Sequence, residues 1–387
     1  MWSPTGASVI TASVSTDGNG AYGSLIEVQT SDGSQKPLGS RRFSEVGRIA
    51  WERNGSEFIV AASERLGANQ LWRVSYPSGD ARQITNDESK NYLGVSLTAD
   101  GSVLATVQRD AQASVWLADD GDATRARQIT EGKYDGRHGL AWTPDGRIVY
   151  HSLESGNEDI WIINADGSGR RQLTVDPGVD ERPSVSPDGR HIVFASNRLG
   201  GFTIWRMDAG GGNERPLTHG HGDGSPVVTP DGRWVVYSSS TSGRPTLWKV
   251  PVDGGEAAQV TTLASMDPVI SPDGTLVAFR YRDDPNTDGR LAVLRLSDGA
   301  LVKAFPPPPD GLAAQPRQWT ADGITYGKAS GGASNIWSQP LAGGPPRQLT
   351  RFTSERIIRY AWSRDGRSLI YTQGAINNDV MLIRGAR

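Results

Sequence analysis

The sequence predicts an all-β protein, a β-propeller of four-stranded antiparallel blades. Three observations predict it. The chain has 47 glycines and 23 prolines in 387 residues, a density of turn formers that many short strands require. The tetrapeptide "SPDG" at Ser186 and Ser271 has close copies in "TPDG" at Thr143 and Thr229 and "SRDG" at Ser363. Asp-Gly between apolar runs is a strong hairpin signal, because the turn needs positive φ and a preceding proline presets the backbone. Finally, the glycine closing each such turn recurs at Gly6, Gly55, Gly101, Gly146, Gly189, Gly232, Gly274, Gly323 and Gly366, in steps of 42 to 49 residues. Four short strands at that period are the pattern of a propeller blade.

Each repeat has the same order of elements. A first strand runs into the turn, as in "GLAW" at Gly139 and "PSVS" at Pro183. A second, β-branched and aromatic, follows: "RIVYHS", "HIVFAS", "WVVYSS", "LVAFRY". The third carries tryptophan in "DIWIINADG", "TIWRMDAGG", "TLWKVPVDGG" and "NIWSQPLAGG", and the fourth reads "RQIT", "RQLT" or "RPLT". Trp72, Trp116, Trp161, Trp205, Trp248 and Trp337 fall on third strands, and Trp2, Trp51, Trp142, Trp319 and Trp362 on first strands. Tryptophan at a fixed place in every repeat reads as packing between blades. The repeats run roughly over 1–40, 47–86, 92–131, 135–175, 180–219, 223–262, 266–306, 311–350 and 358–387, as one domain over 1–387. Nine blades are favoured; eight are the alternative, if "KPLGS" at Lys36 closes the ninth repeat.

This "SPDG…IVFAS…IW…DG…RQLT" repeat resembles that of TolB-type β-propellers, over essentially the whole chain. It is similar as well to propeller domains of dipeptidyl peptidase and prolyl oligopeptidase relatives, and to sensor portions of bacterial kinases and winged-helix regulators. The resemblance is specific for fold and weak for function, since such propellers serve many roles. It implies a non-enzymatic module that binds a protein or small ligand at its loop face or channel, in a periplasmic or extracytoplasmic setting. The ending "DVMLIRGAR" resembles the sensor portions of membrane-linked regulators, implying a longer parent chain.

Composition narrows the partners. Net charge is −3 with no basic stripe, so neither nucleic acid nor an anionic membrane surface is an expected partner. There is no cysteine, which excludes thiolate catalysis and cysteine metal sites. No 18-residue apolar stretch exists to insert into a membrane, and Met1-Trp-Ser-Pro is not the start of a signal peptide. G-x-S-x-G, H-E-x-x-H and Walker motifs are absent.

Propeller connectivity puts the links between strands two and three, and those between blades, on one face. Candidate ligand-binding residues there are Asp135, His138, Asp180, Arg198, His219, His221, Asp223 and Asp267. The acidic members read either as a ring at the channel mouth or as caps on loop N–H groups. Arg198 reads either as a carboxylate binder or as a partner of the next blade's acidic loop. His219 and His221 beside Asp223 read as a metal seat or as solvated imidazoles. With His138 and His151 they are also the candidates of the alternative function, a channel-mouth hydrolase or lyase; a scaffold without ligand is the third. Asp284, Asn286 and Asp288 before Gly289 fit the start of a calcium loop, although its twelfth position is Arg295 instead of glutamate. Apart from calcium no cofactor is expected.

Overall fold

The computed structural model describes residues 1–17, 20–64, 69–87, 90–132, 134–220, 222–282, 289–306, 315–353 and 356–384. It confirms the all-β class, and none of the described helices is long and apolar enough to cross a membrane. The strands fall into two compact units, Met1–Ala111 with Ile376–Arg387, and Gln112–Ala375.

Unit one holds a three-stranded sheet of β1 (Ser8–Asp17), β2 (Gly20–Gln29) and β3 (Gln35–Phe43). A four-stranded sheet follows, of β4 (Glu45–Trp51), β5 (Glu57–Ser63), β6 (Gln70–Ser75) and β7 (Ala81–Gln83). Then β8 (Asn91–Leu97) pairs with the first part of β9 (Val103–Asp119). Ile10, Leu25, Phe43, Phe58 and Trp72 pack one core here.

In unit two the end of β9 pairs with β10 (Arg127–Gln128). Five complete sheets follow. The first is β11 (Leu140–Trp142), β12 (Arg147–Ser152), β13 (Asp159–Asn164) and β14 (Arg171–Gln172). The second is β15 (Asp180–Val185), β16 (His191–Ser196), β17 (Thr203–Asp208) and β18 (Arg215–Pro216). The third is β19 (Asp223–Val228), β20 (Trp234–Ser239), β21 (Thr246–Pro251) and β22 (Ala258–Gln259). The fourth is β23 (Ser265–Ile270), β24 (Leu276–Tyr281), β25 (Arg290–Arg295) and β26 (Leu301–Ala304). The fifth is β27 (Pro316–Thr320), β28 (Gly323–Ser330), β29 (Ala333–Gln339) and β30 (Arg347–Gln348). A sixth sheet is composite: β31 (Arg356–Trp362) and the start of β32 (Ser368–Arg384) join β9 and β10.

These six sheets close a ring. Each first strand touches the next, in the order β11, β15, β19, β23, β27 and β31, and β31 touches β11. An apolar cluster fills each gap between sheets: Ile160 with Phe194, Val193 with Val235, Val236 with Phe279, Val293 with Ile324, Ile336 with Tyr371, and Ile370 with Ile148. The nine-blade count and its eight-blade alternative are corrected for this ring, which has six. A repeat period counts strands along the chain, whereas ring size depends on which strands pair. Because β9 and β32 each run on for 17 residues, the third and ninth repeats share one sheet.

The repeated signals are architectural. In the Ser186 turn, Gly189 N–H donates to Ser186 O at 2.9 Å, so Pro187 and Asp188 are the central pair and Gly189 follows at φ 71°. This is a type I turn plus a left-handed glycine, not a two-residue reversal. The Ser186 hydroxyl donates to Asp188 Oδ1 at 2.6 Å and Arg190 N–H does so at 3.0 Å. Those bonds hold the carboxyl below its ordinary range, the Ser186 bond foremost. A depressed folded pKa adds stability above the unfolded value, lost as pH falls through the folded one. Asp188→Ala is therefore expected to cost about 1 kcal/mol at pH 7, with the deficit closing below about pH 4. Urea titrations across pH check this; ligand loss at unchanged stability would contradict the turn's structural role. The threonine that ends the fourth-strand motif also braces the blade. Thr130, Thr174, Thr218 and Thr350 each accept a third-strand N–H through Oγ1.

Candidate functional site

The first strands of unit two carry a bulge near their loop ends. Register shifts lie between Glu181 and Ser184, Gly224 and Val227, and Met266 and Val269. At the shift Arg182, Ser225 and Asp267 adopt left-handed backbones, with φ 57°, 51° and 55°. Such strain in non-glycine residues costs about 1–3 kcal/mol each and re-aims the side chain. Here the three side chains converge. Arg182 Nη1 donates to Ser225 Oγ and lies 3.4 Å from Asp267 Oδ1, while Arg280 Nε lies 3.3 Å from Asp267 Oδ2. Contacts spanning three successive blades place this group inside the ring.

Arg317 and Arg359 join it from the fifth and sixth sheets. Arg317 Nη2 donates to Gln315 Oε1 at 2.6 Å, whereas the Arg359 guanidinium makes no hydrogen bond or ion pair among the described residues. Burial first, then the guanidinium groups of Arg317 and Arg182, push Arg359 down to about 9; Asp267 opposes this. Arg317 is lowered too, by burial and then by Arg182 and Arg280, again against Asp267. Four guanidinium groups (Arg182, Arg280, Arg317, Arg359) thus face two carboxylates, Asp267 and Glu181. A cavity of ≈ 210 Å³ lies against Arg317, lined also by Gln315, Ser334, Ile358 and Tyr360.

A second group forms where the first two sheets meet. His138 Nδ1 lies 3.0 Å from Glu181 Oε2, and His151 Nε2 lies 3.3 Å from Glu158 Oε2. The two imidazoles are 4.9 Å apart between centroids. Burial works to raise Glu158 and Glu181, but the neighbouring imidazoles, helped at Glu181 by Arg182, hold both carboxyls below their ordinary range.

The remaining sequence candidates divide. Asp135, Asp180 and Asp223 form no ring at the mouth, because all three are buried in local bonds. Asp135 accepts Gly132 N–H at 3.0 Å, Asp180 accepts both bonds of Arg198 Nη2 at 3.0 and 2.9 Å, and Asp223 accepts the Thr218 hydroxyl at 2.6 Å. Asp267, two residues further along its strand than Asp180 and Asp223 on theirs, takes the bulge position instead and reaches the interior. Arg198 binds Asp180 and Glu214 of its own blade and Asp176 of the link leading into it, not the next blade. His219 is exposed and without a partner among the described residues. His221, Asp284, Asn286 and Asp288 lie outside the described residues.

Glu158, Arg280, Arg317 and Arg359 belong to these two groups without being among the residues singled out from the sequence. Their signal is a charge at a register position that other repeats fill with apolar or small residues: Arg280 interrupts "LVAFRY" where the corresponding residue of "HIVFAS" is alanine.

Comparison with known proteins agrees with the repeat pattern. Residues 136–222 match the TolB beta propeller domain. The Protein TolB homolog of Chlorobium luteolum is 29% identical over 162 residues, covering 41% of this chain and 35% of that protein. Tol-Pal system protein TolB of Bordetella pertussis is 29% identical over 243 residues, covering 44% of this chain and 54% of that protein. The chain thus spans about a third to a half of the length of these relatives. The crystal structure of TolB from Acinetobacter baumannii aligns with a TM-score of 0.45 at 15% identity, over 96% of this chain and 82% of that one. The chain carries a TolB-like β-propeller.

Proposed function

We propose that the ring of unit two is a non-enzymatic binding module that takes a carboxylate at its inner mouth, borne by a partner protein segment or a small ligand. The observation that carries this is Arg359, half-buried among other guanidinium groups and matched by no carboxylate of its own among the described residues. Guanidinium favours bidentate carboxylate recognition, and a desolvated, uncompensated cation gains most from such an anion. The name of the Bordetella relative, a Tol-Pal system protein, supports a protein partner and an extracytoplasmic setting. The alternative, a channel-mouth hydrolase or lyase, draws on the meeting of His138 and His151.

A matched peptide library, one half ending in free carboxylates and the other in amides, tests the reading. Free-acid peptides are expected to bind, and Arg359→Met to weaken them by about 2 kcal/mol, roughly thirtyfold. Stability should not fall, because a methionine relieves like-charge crowding. Equal binding of acids and amides, or binding indifferent to Arg359→Met, counts against the carboxylate site.

A further inference from the structure

We propose that His138, His151, Glu158 and Glu181 form a binding site for one divalent first-row transition ion, zinc(II) foremost. It rests on two imidazoles that the carboxylate reading does not use; the two sites share Glu181 and Arg182, and zinc uptake is read separately from peptide binding.

Donor geometry is the first argument. One ligand atom each from His138, Glu158 and Glu181 lies within 4.8 Å of the others. The His138–Glu181 and His151–Glu158 separations are 3.0 and 3.3 Å. Donors around tetrahedral zinc at 2.0–2.1 Å sit about 3.4 Å apart, close to the two imidazole–carboxylate separations, and an ion would draw together donors of the two pairs that now lie up to 4.8 Å apart, with His151 entering through its contact with Glu158. Two imidazoles with two carboxylates suit zinc and, less well, manganese; calcium requires six to eight oxygens.

His151 is the second, independent argument. Its side chain is 0% exposed, yet neither ring nitrogen has a hydrogen-bond partner. Nε2 is near the Glu158 carboxylate but out of line for a hydrogen bond. Two plain imidazole–carboxylate pairs would leave both nitrogens of this buried ring without a partner, whereas a metal on Nε2 gives that nitrogen one.

The surroundings are preorganised. His151 O accepts Gly136 N–H at 2.7 Å, His138 O accepts Arg182 N–H at 2.9 Å, and Glu158 O accepts Asp180 N–H at 2.8 Å. Arg182 Nε holds Glu181 Oε1 at 3.0 Å, leaving Oε2 for the ion. The backbone bonds fix the segments that carry the ligands, and the Arg182 bond is the outer partner that orients a ligating side chain. His138 and Glu158, 33% and 22% exposed, leave a way in.

The test titrates chelator-stripped full-length protein with zinc, manganese and calcium chlorides by calorimetry. One zinc per chain is expected, with Kd on the order of 1 µM or tighter, and calcium at least a hundredfold weaker. Glu181→Gln, which keeps the side chain's size, and His138→Ala, at a position 33% exposed, should each weaken zinc tenfold or more, while His219→Ala should not. X-ray absorption of the zinc form should show nitrogen and oxygen donors at about 2.0–2.1 Å. The proposal fails if folded protein takes up no zinc below 1 mM, if Glu181→Gln and His138→Ala leave Kd unchanged, if calcium matches zinc, or if His219→Ala abolishes binding.

Discussion

Replacing Arg198 with methionine is expected to destabilise unit two by about 3–5 kcal/mol. Among the described residues Arg198 is the one cation in contact with Asp176, Asp180 and Glu214, and it lies over the Trp205 ring at 4.5 Å. Asp180 is fully buried; burial works to raise its carboxyl, and Arg198 is the group that works hardest to keep it charged. Removing one partner of a buried pair strands the other charge, which costs more than the pair itself is worth. Methionine retains much of the apolar stem that covers Trp205, so the loss reports the charge. Denaturant unfolding at neutral pH measures it. Adding Asp180→Asn should recover part of the loss, a coupling that a double-mutant cycle reads directly. A single-variant loss under about 1 kcal/mol would mean that the cluster is solvent-screened, as exposed pairs are.

Arg198 also illustrates what the sequence can and cannot convey. Its strand, its loop and the presence of acidic neighbours were legible, because they depend on period and turn chemistry. The identity of the partners was not, since pairing within a blade and between blades gives the same pattern along the chain. Asp267 shows the same limit at finer scale. It directly precedes Pro268, as Arg182 and Ser225 precede Pro183 and Pro226, and the bulge at Met266–Val269 puts it on the interior, while Asp180 and Asp223 lie buried in local bonds. A shift of register of this size changes which face a side chain meets. The ring size was hidden for a related reason: β9 and β32 pair across 249 residues, from Asp119 to Ser368, and no local motif marks that closure. His138 and His151 were legible as loop-end histidines; that Glu158 and Glu181 complete their group follows from how adjacent sheets meet.

Asp267→Ala is expected to destabilise unit two by about 3–5 kcal/mol at low salt, and a small polycarboxylate should restore part of that loss. In the native ring the Asp267 carboxylate faces Arg182 and Arg280 and opposes the lowering of Arg317 and Arg359. Without it the four guanidinium groups keep, among the described residues, Glu181 alone, whose second oxygen faces His138. Repulsion in that partly desolvated space is screened weakly by bulk salt, so the vacancy should select an anion that can enter. Citrate at a few millimolar is therefore expected to raise the variant's unfolding midpoint more than that of the native chain. Sodium chloride at matched ionic strength should do less. If chloride restores as much as citrate, the arginines act through a diffuse field and form no site. If citrate alone works, and adding Arg359→Met removes its advantage, the arginine that lacks a partner in the native ring is the one that holds the carboxylate.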